Sequence, residues 1–323
     1  MDSIEKAMLA RSRHPVRPPA PSPSPPLPVV SPAVEDVIER AAQSTSSSLD
    51  LAAVKPGSAK RTQRSVSLDF ERIRTVGLLA PDTQRSRLKE EYRHIKRPLL
   101  MNADGKGAMA VEHPNLVMVT SSCPGEGKTF TACNLALSIA SERNRTVLLV
   151  DADVLKPAMD RMLGFEIELG LVDYLIDERL DMADVLVDTN VASLTLLPAG
   201  SPYLLSAELL AGERMRKLAA EMSSRYTDRI VIFDSPPLLM TTEASILASL
   251  MGQVLVVVEA ERTPQSQVRA ALDLLDPNRQ IVGFVLNKSR AFFGANSYGY
   301  GYGYGYGHEG DESAAGRKDK HAG

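Results

Sequence analysis

Six short apolar runs, alternating with stretches of helical character, constrain this 323-residue chain more than any other feature. They are LVMVT (116–120), TVLLVD (146–151), LTLLP (194–198), RIVIFD (229–234), VLVVVE (254–259) and IVGFVLN (281–287). Each run is apolar almost throughout, whereas a strand with one face in water would alternate apolar with polar residues. Helices predicted over 127–142, 206–224, 242–250 and 265–275 supply the crossovers. Doubly buried strands joined through helices run parallel, so the expected fold is a doubly wound, mostly parallel α/β sheet. Ligands bind such sheets beyond the carboxyl ends of the strands, and chemistry is to be sought there.

The residues after the first run are SSCPGEGKTF. Gly125, Gly127, Lys128 and Thr129 match the end of the Walker A pattern G-x-x-x-x-G-K-[ST], with Ser122 in place of its first glycine. In this strand-to-helix setting the backbone N–H groups would cradle phosphates. Lys128 would reach the β- and γ-phosphates, and the Thr129 hydroxyl would ligate Mg²⁺. The second run ends in Asp151-Ala152-Asp153 and the fourth in Asp234-Ser235-Pro236-Pro237. Carboxylates at that end of the sheet suit Mg²⁺–ATP, because Mg²⁺ needs only one or two of them besides water and phosphate oxygens. An aspartate there can also accept the proton of an attacking hydroxyl. A helix-capping role stays open for Asp153. At the end of the last run Asn287 either meets the adenine edge or caps a turn.

Outside this core the composition changes. Residues 1–13 read as a short amphipathic segment and 14–67 as a disordered linker rich in proline and serine, which buries too little apolar surface to offset its ordering entropy. An α/β domain is expected over 68–290, with a helix over 85–96 that stops before Pro98. The flexible remainder is 291–323. Net charge is -3, which leaves no electrostatic footprint for nucleic acid. Cys123 and Cys133 lie beside motif positions rather than in a disulfide framework, the pattern of a reducing cytoplasm. The start of the chain lacks the apolar core of a signal peptide, and no run approaches the roughly 20 residues of a membrane span.

The tail carries Tyr298, Tyr300, Tyr302, Tyr304 and Tyr306, alternating with glycine. Two readings stand. Mobile phenol hydroxyls can serve as phosphate acceptors, or the repeat is a low-complexity tether. Ten residues, 288–297, separate it from the last strand and extend on the order of 35 Å, enough to enter a neighbouring copy. Tyr174, Tyr203 and Tyr226 fall in or near helices, where packing is the expected role.

Taken together, SSCPGEGKT, VLLVDADVLKP, VIFDSPP and a tyrosine-rich C-terminus resemble the bacterial tyrosine kinases of exopolysaccharide biosynthesis, over about 85–306. SIEKAM and GLLAPDTQRSRLKEEYRHIKRPLL resemble the exosortase-associated (PEP-CTERM) subset. The resemblance implies a P-loop NTPase fold with Walker A, A′ and B motifs, and Mg²⁺ and ATP as cofactors. It makes Lys128, Asp151, Asp153 and Asp234 catalytic, with Thr129, Asp151 and Asp234 toward the metal. Gly125, Glu126, Gly127, Lys128, Thr129, Phe130 and Asn287 would line the nucleotide. It further implies autophosphorylation of the five tail tyrosines in trans within a homo-oligomeric ring. The interface would use Glu90, Arg93 and Lys96, which match E-x-x-R-x-x-R except for lysine at the last position.

Implied partners are a membrane-embedded polysaccharide co-polymerase as activator and a cognate tyrosine phosphatase, with the chain cytoplasmic and peripheral at the inner face of the plasma membrane. Leu155 departs from the family, which has arginine there; Lys156 follows it. Two other classes compete: a MinD/ParA-like positioning ATPase, and an adaptor that binds nucleotide without turnover. The positioning ATPases carry an extra lysine early in the loop, for which Ser121, Ser122 and Cys123 leave no place.

Overall fold

The structure, a computed structural model, describes residues 64–81, 84–203, 206–225 and 228–289. The chain divides between Lys60 and Arg61, and every described residue belongs to the second unit. The amphipathic segment 1–13, the linker as far as residue 63, Tyr226 and the tail 291–323 lie outside the described residues.

Among the described residues the strands are β1 (Arg64–Val66), β2 (Leu116–Ser121), β3 (Thr146–Asp151), β4 (Val187–Thr189), β5 (Leu194–Leu197), β6 (Arg229–Asp234), β7 (Gln253–Glu259) and β8 (Ile281–Asn287). They form one sheet in the order β1-β4-β5-β3-β6-β2-β7-β8. Every neighbouring pair is parallel except β4–β5. The helices are α1 (Phe70–Thr75), α2 (Arg87–Ala103), α3 (Lys128–Ala140), α4 (Met159–Leu163), α5 (Leu171–Ile176), α6 (Met182–Val185), α7 (Ser206–Ala211), α8 (Glu213–Arg225), α9 (Thr242–Ala248) and α10 (Gln265–Leu272).

The strands divide their side chains between two cores. Val117 and Val119 of β2 face one way, onto Leu135, Ala136 and Ile139 of α3. Leu116 and Met118 face the other, onto Leu218 of α8 and Leu247 of α9. All four β2 side chains are fully enclosed, each worth about 1.5–3 kcal/mol relative to exposure. This explains why the runs read as continuously apolar. It also fixes the winding: β2 crosses to β3 through α3 on one face, whereas β6 crosses to β7 through α9 on the other. Neighbouring β2 and β6 therefore leave the sheet toward opposite faces, and a crevice opens at their carboxyl ends.

Several boundaries differ from the sequence reading. The stretch read as linker includes strand β1, since Arg64–Val66 pairs in parallel with β4. Strand β4 and helices α4, α5 and α6 are too short to carry a periodic signal. The long helix read over 206–224 is two helices, interrupted at Gly212, a residue costly in a helix interior.

Helix α2 does not stop before Pro98 but runs through it to Ala103. The bond lost at Pro98 would have gone to the carbonyl of His94, and both residues face solvent. The turn beyond is anchored instead: Leu99 is buried, Gln253 Nε2 donates to its carbonyl (3.0 Å), and Asn102 Nδ2 donates to Gln253 Oε1 (2.8 Å). Because tertiary contacts overcome a proline defect here, Pro98→Ala is expected to stabilise the fold by about 1–3 kcal/mol. A thermal melt of the two chains checks this, and an unchanged or lower midpoint contradicts it.

Candidate active site

The loop leaving β2 is shaped by two glycines. Gly125 has φ +85° and Gly127, the N-cap of α3, has φ +98°. Left-handed residues at these positions give the curvature of an anion-binding nest at the start of a helix. The loop is braced from inside. The Glu126 carboxylate is buried, accepts from Cys123 N (2.6 Å) and is also bonded by the Thr263 hydroxyl. From β8, Asn287 Nδ2 donates to the Glu126 carbonyl (2.8 Å), and Lys288 Nζ donates to the Gly125 carbonyl (2.7 Å) and to Glu259 Oε2 (3.0 Å). A Cβ at Gly127 would run into the Asn287 amide. Gly127→Ala is therefore expected to cost about 1–2 kcal/mol of stability and to weaken ATP binding more than tenfold. Denaturation curves with and without ATP measure both; unchanged protection by ATP would contradict the expectation.

Three carboxylates face this loop. Asp151 and Asp234 are register partners at the ends of adjacent β3 and β6, and Asp153 follows two residues later. Asp151 is held by backbone N–H groups, with Asp153 N on one oxygen (3.2 Å) and Ala158 N and Met159 N on the other (3.3 and 3.2 Å). Asp153 accepts from Lys128 Nζ at 2.5 Å. Asp234 is 1% exposed, and neither of its oxygens has a hydrogen-bond partner among the described residues; the Lys128 ammonium stands 3.9 Å away.

The electrostatics follow from burial. Desolvation, with the charge of Asp234 adding to it, holds Asp151 far above the usual carboxylate range. Desolvation also raises Asp234, opposed by the Lys128 ammonium. Burial alone would lower Lys128, but the charges of Asp234 and Asp153 outweigh it and hold the ammonium protonated. An enclosed carboxylate without a hydrogen bond, beside an anion nest and a largely covered lysine, can take a phosphate together with a cation. Among the described residues, no cluster of three or more His, Cys, Asp or Glu could hold a metal alone.

The fold thus brings Gly125, Glu126, Gly127, Lys128, Thr129, Asp151, Asp153 and Asp234 together at one sheet end. It treats three expected residues differently. Phe130 packs its ring against the core beside Gly77. Asn287 spends its amide on the loop. Lys96, expected at an oligomer interface, is 5% exposed and turned inward, donating to the Ser138 carbonyl (2.6 Å) and pairing with Glu142 (2.8 Å). Its long side chain crosses from α2 to the end of α3, while Glu90 and Arg93 pair with each other on the surface (3.0 Å). The braces Thr263, Glu259 and Lys288 went unread because only the sheet order brings them to the loop.

Other motif-adjacent residues are quiet. Burial, then the charge of Glu126, raises the Cys123 thiol, and Cys123 and Cys133 are both free. Tyr174 is covered by the Arg214 guanidinium at 4.4 Å, a packing role. Among the described residues no helix is long and apolar enough to cross a membrane.

A parallel doubly wound sheet with a phosphate loop after β2 and aspartates at the ends of β3 and β6 defines a P-loop nucleoside-triphosphate-binding protein. Residues 115–276 match the AAA domain family. The tyrosine-protein kinase YwqD of Bacillus subtilis is 31% identical over 211 residues, covering 65% of this chain and 85% of that protein. The tyrosine-protein kinase wzc of Salmonella typhimurium is 34% identical over 194 residues, 59% of this chain but only 26% of the relative, so the chain spans about a quarter of it. Among solved structures, the kinase domain of Escherichia coli tyrosine kinase ETK is 28% identical with TM-score 0.50, covering 58% of this chain and 73% of that one. The VpsO kinase domain, also 28% identical with TM-score 0.50, covers 64% and 100%. The chain belongs to the bacterial tyrosine kinase family, which binds ATP.

Proposed function

We propose that the chain is an ATP-dependent protein-tyrosine autokinase whose acceptors are Tyr298, Tyr300, Tyr302, Tyr304 and Tyr306, acting on a neighbouring copy within a homo-oligomer. The observation that carries this reading is the unpartnered Asp234 carboxylate beside Lys128 and the Gly125–Gly127 nest, in a chain that also carries a tyrosine repeat.

Mg²⁺–ATP, when bound, supplies the γ-phosphoryl group and offsets its charge. Asp234 and the Thr129 hydroxyl are the residues that would hold the cation, with Asp151 behind them. Lys128, now on Asp153, would turn to the phosphate oxygens, which would free a second carboxylate to orient the site. Burial raises Asp151, and the Lys128 charge opposes this; a bound cation would add to that opposition and favour the ionised carboxylate, which would then accept the proton of the attacking phenol as the tyrosine oxygen–phosphorus bond forms and ADP leaves. Each phosphotyrosine adds roughly -1.5 to -2 charge, so a modified tail carries close to ten negative charges and repels its neighbours.

Through its resemblance to the kinases of exopolysaccharide biosynthesis, the chain is read as cytoplasmic, held at the inner face of the membrane by a co-polymerase activator and reset by a tyrosine phosphatase. Its resemblance to the exosortase-associated subset belongs to the same reading. The trans step is tested by mixing a Lys128→Met chain that keeps its tail with an intact-site chain truncated before Tyr298. Phosphotyrosine on the long chain is the expected result; none in the mixture, with the unaltered chain active alone, overturns transfer between copies.

A further inference from the structure

We propose that the free edge of β8 is a docking site for the chain's own Tyr–Gly repeat, residues 298–306, laid antiparallel as an added strand. Strand β8 ends the sheet order, and no described strand pairs with its outer edge. Exposed edges are usually guarded by charge, proline or a bulge. The run IVGFVLN contains no charged residue and no proline, and it leaves Phe284 53% and Leu286 64% exposed on the same face. Their register neighbours Val256 and Val258 on β7 continue that apolar face inward.

The repeat fits this edge in three ways. Ten residues separate it from Asn287, and an antiparallel return needs a loop of only two to five, so the connection reaches without strain. Asn287 and Lys288 are fastened to the phosphate loop, so the chain leaves β8 at a fixed point on the edge itself. Alternation of tyrosine and glycine has the period of a strand, which sets all five rings on one face and the glycines on the other. Laid over Phe284 and Leu286, the rings form cross-strand aromatic–aliphatic pairs. Sliding by two residues restores the same pairing, so successive tyrosines can occupy the patch in turn.

A docked tail keeps its tyrosines at the edge of its own sheet and withholds them from a neighbour's phosphate loop. A phosphate on a docked ring sets charge over an apolar patch and releases the strand. These two consequences rest on the autokinase reading; the docking does not.

Hydrogen exchange read by mass spectrometry tests the docking on full-length chains carrying Lys128→Met, which keeps every tail unphosphorylated. One chain has the native tail and the other has all five tail tyrosines replaced by serine. The expected result is that amides of 281–287 exchange roughly tenfold or more faster without the tyrosines, and that 298–306 exchanges more slowly in the native chain than in a free peptide. Phe284→Ser with the native tail should likewise lose the tail protection. Equal exchange of 281–287 in the two chains, or a tail exchanging as the free peptide does, overturns the proposal. So does protection of 281–287 that ignores the tyrosines and grows with protein concentration, since that assigns the edge to a second copy. Because no chain in this comparison transfers phosphate, the outcome is independent of whether the protein is a kinase.

Discussion

Lys128→Met is expected to abolish phosphotyrosine formation, by about a thousandfold or more, and to destabilise the nucleotide-free fold as well. The loss of activity follows from removing the one buried cation aimed at the nest, where a preorganised charge is worth several kcal/mol to phosphoryl transfer. The loss of stability follows from what remains. Asp153 and Asp234 are both enclosed, and without the ammonium each is a desolvated carboxylate lacking its counter-charge. Protonation limits the damage, so the cost is expected at about 1–3 kcal/mol near pH 8 and smaller near pH 5. The sign is set by the lysine favouring ionised carboxylates: removing it hurts most where they must be ionised. Melts of both chains at the two pH values, beside a phosphotyrosine blot, measure the two effects. A variant that stays active, or one equally destabilised at both pH values, contradicts the assignment.

Asp234→Asn should move stability the other way while also ending catalysis. Its carboxyl is raised in the folded state chiefly by desolvation, despite the nearby ammonium. A raised folded-state pKa means that stability is full below the ordinary carboxylate range and is lost as pH rises through the raised one. An amide of the same shape escapes that loss. The variant is therefore expected to match the parent near about pH 4 and to exceed it by about 1–3 kcal/mol near about pH 8, without nucleotide or metal. With Mg²⁺–ATP present the order should reverse, since the parent gains binding energy that the variant cannot. This is the pattern of a residue kept for function at the expense of the fold. A variant less stable than the parent at pH 8 would assign Asp234 a structural role instead.

Much of this was legible because burial leaves a periodic trace. The six continuous apolar runs read as doubly covered strands, and all six are strands, although β8 at the sheet edge leaves Phe284 and Leu286 exposed. The loop and the strand-end aspartates were legible because the parallel strands β2, β3 and β6 direct their carboxyl ends to one place. What escaped has physical causes. Pro98 reads as a stop because local propensity knows nothing of Gln253, 155 positions later, which grips the turn beyond it. Lys96 reads as surface because a charged residue at helical spacing usually is; the carbonyl and carboxylate that receive it lie at the far end of another helix. Asn287 was left between two roles, and the structure gives its amide to the phosphate loop, a contact set by the meeting of β8 with the loop after β2. Strand β4, three residues long, carries no period to read.

The account stands or falls on whether this site puts phosphate on those tyrosines. The most direct measurement incubates the purified full-length chain with Mg²⁺ and ATP, then maps the C-terminal peptide by mass spectrometry. Lys128→Met is carried in parallel, and a second sample of each includes the cytoplasmic segment of the membrane activator. Phosphate on Tyr298–Tyr306, absent from Lys128→Met, is the predicted result. ATP hydrolysis without phosphotyrosine in either condition would contradict it and return the chain to the positioning ATPases.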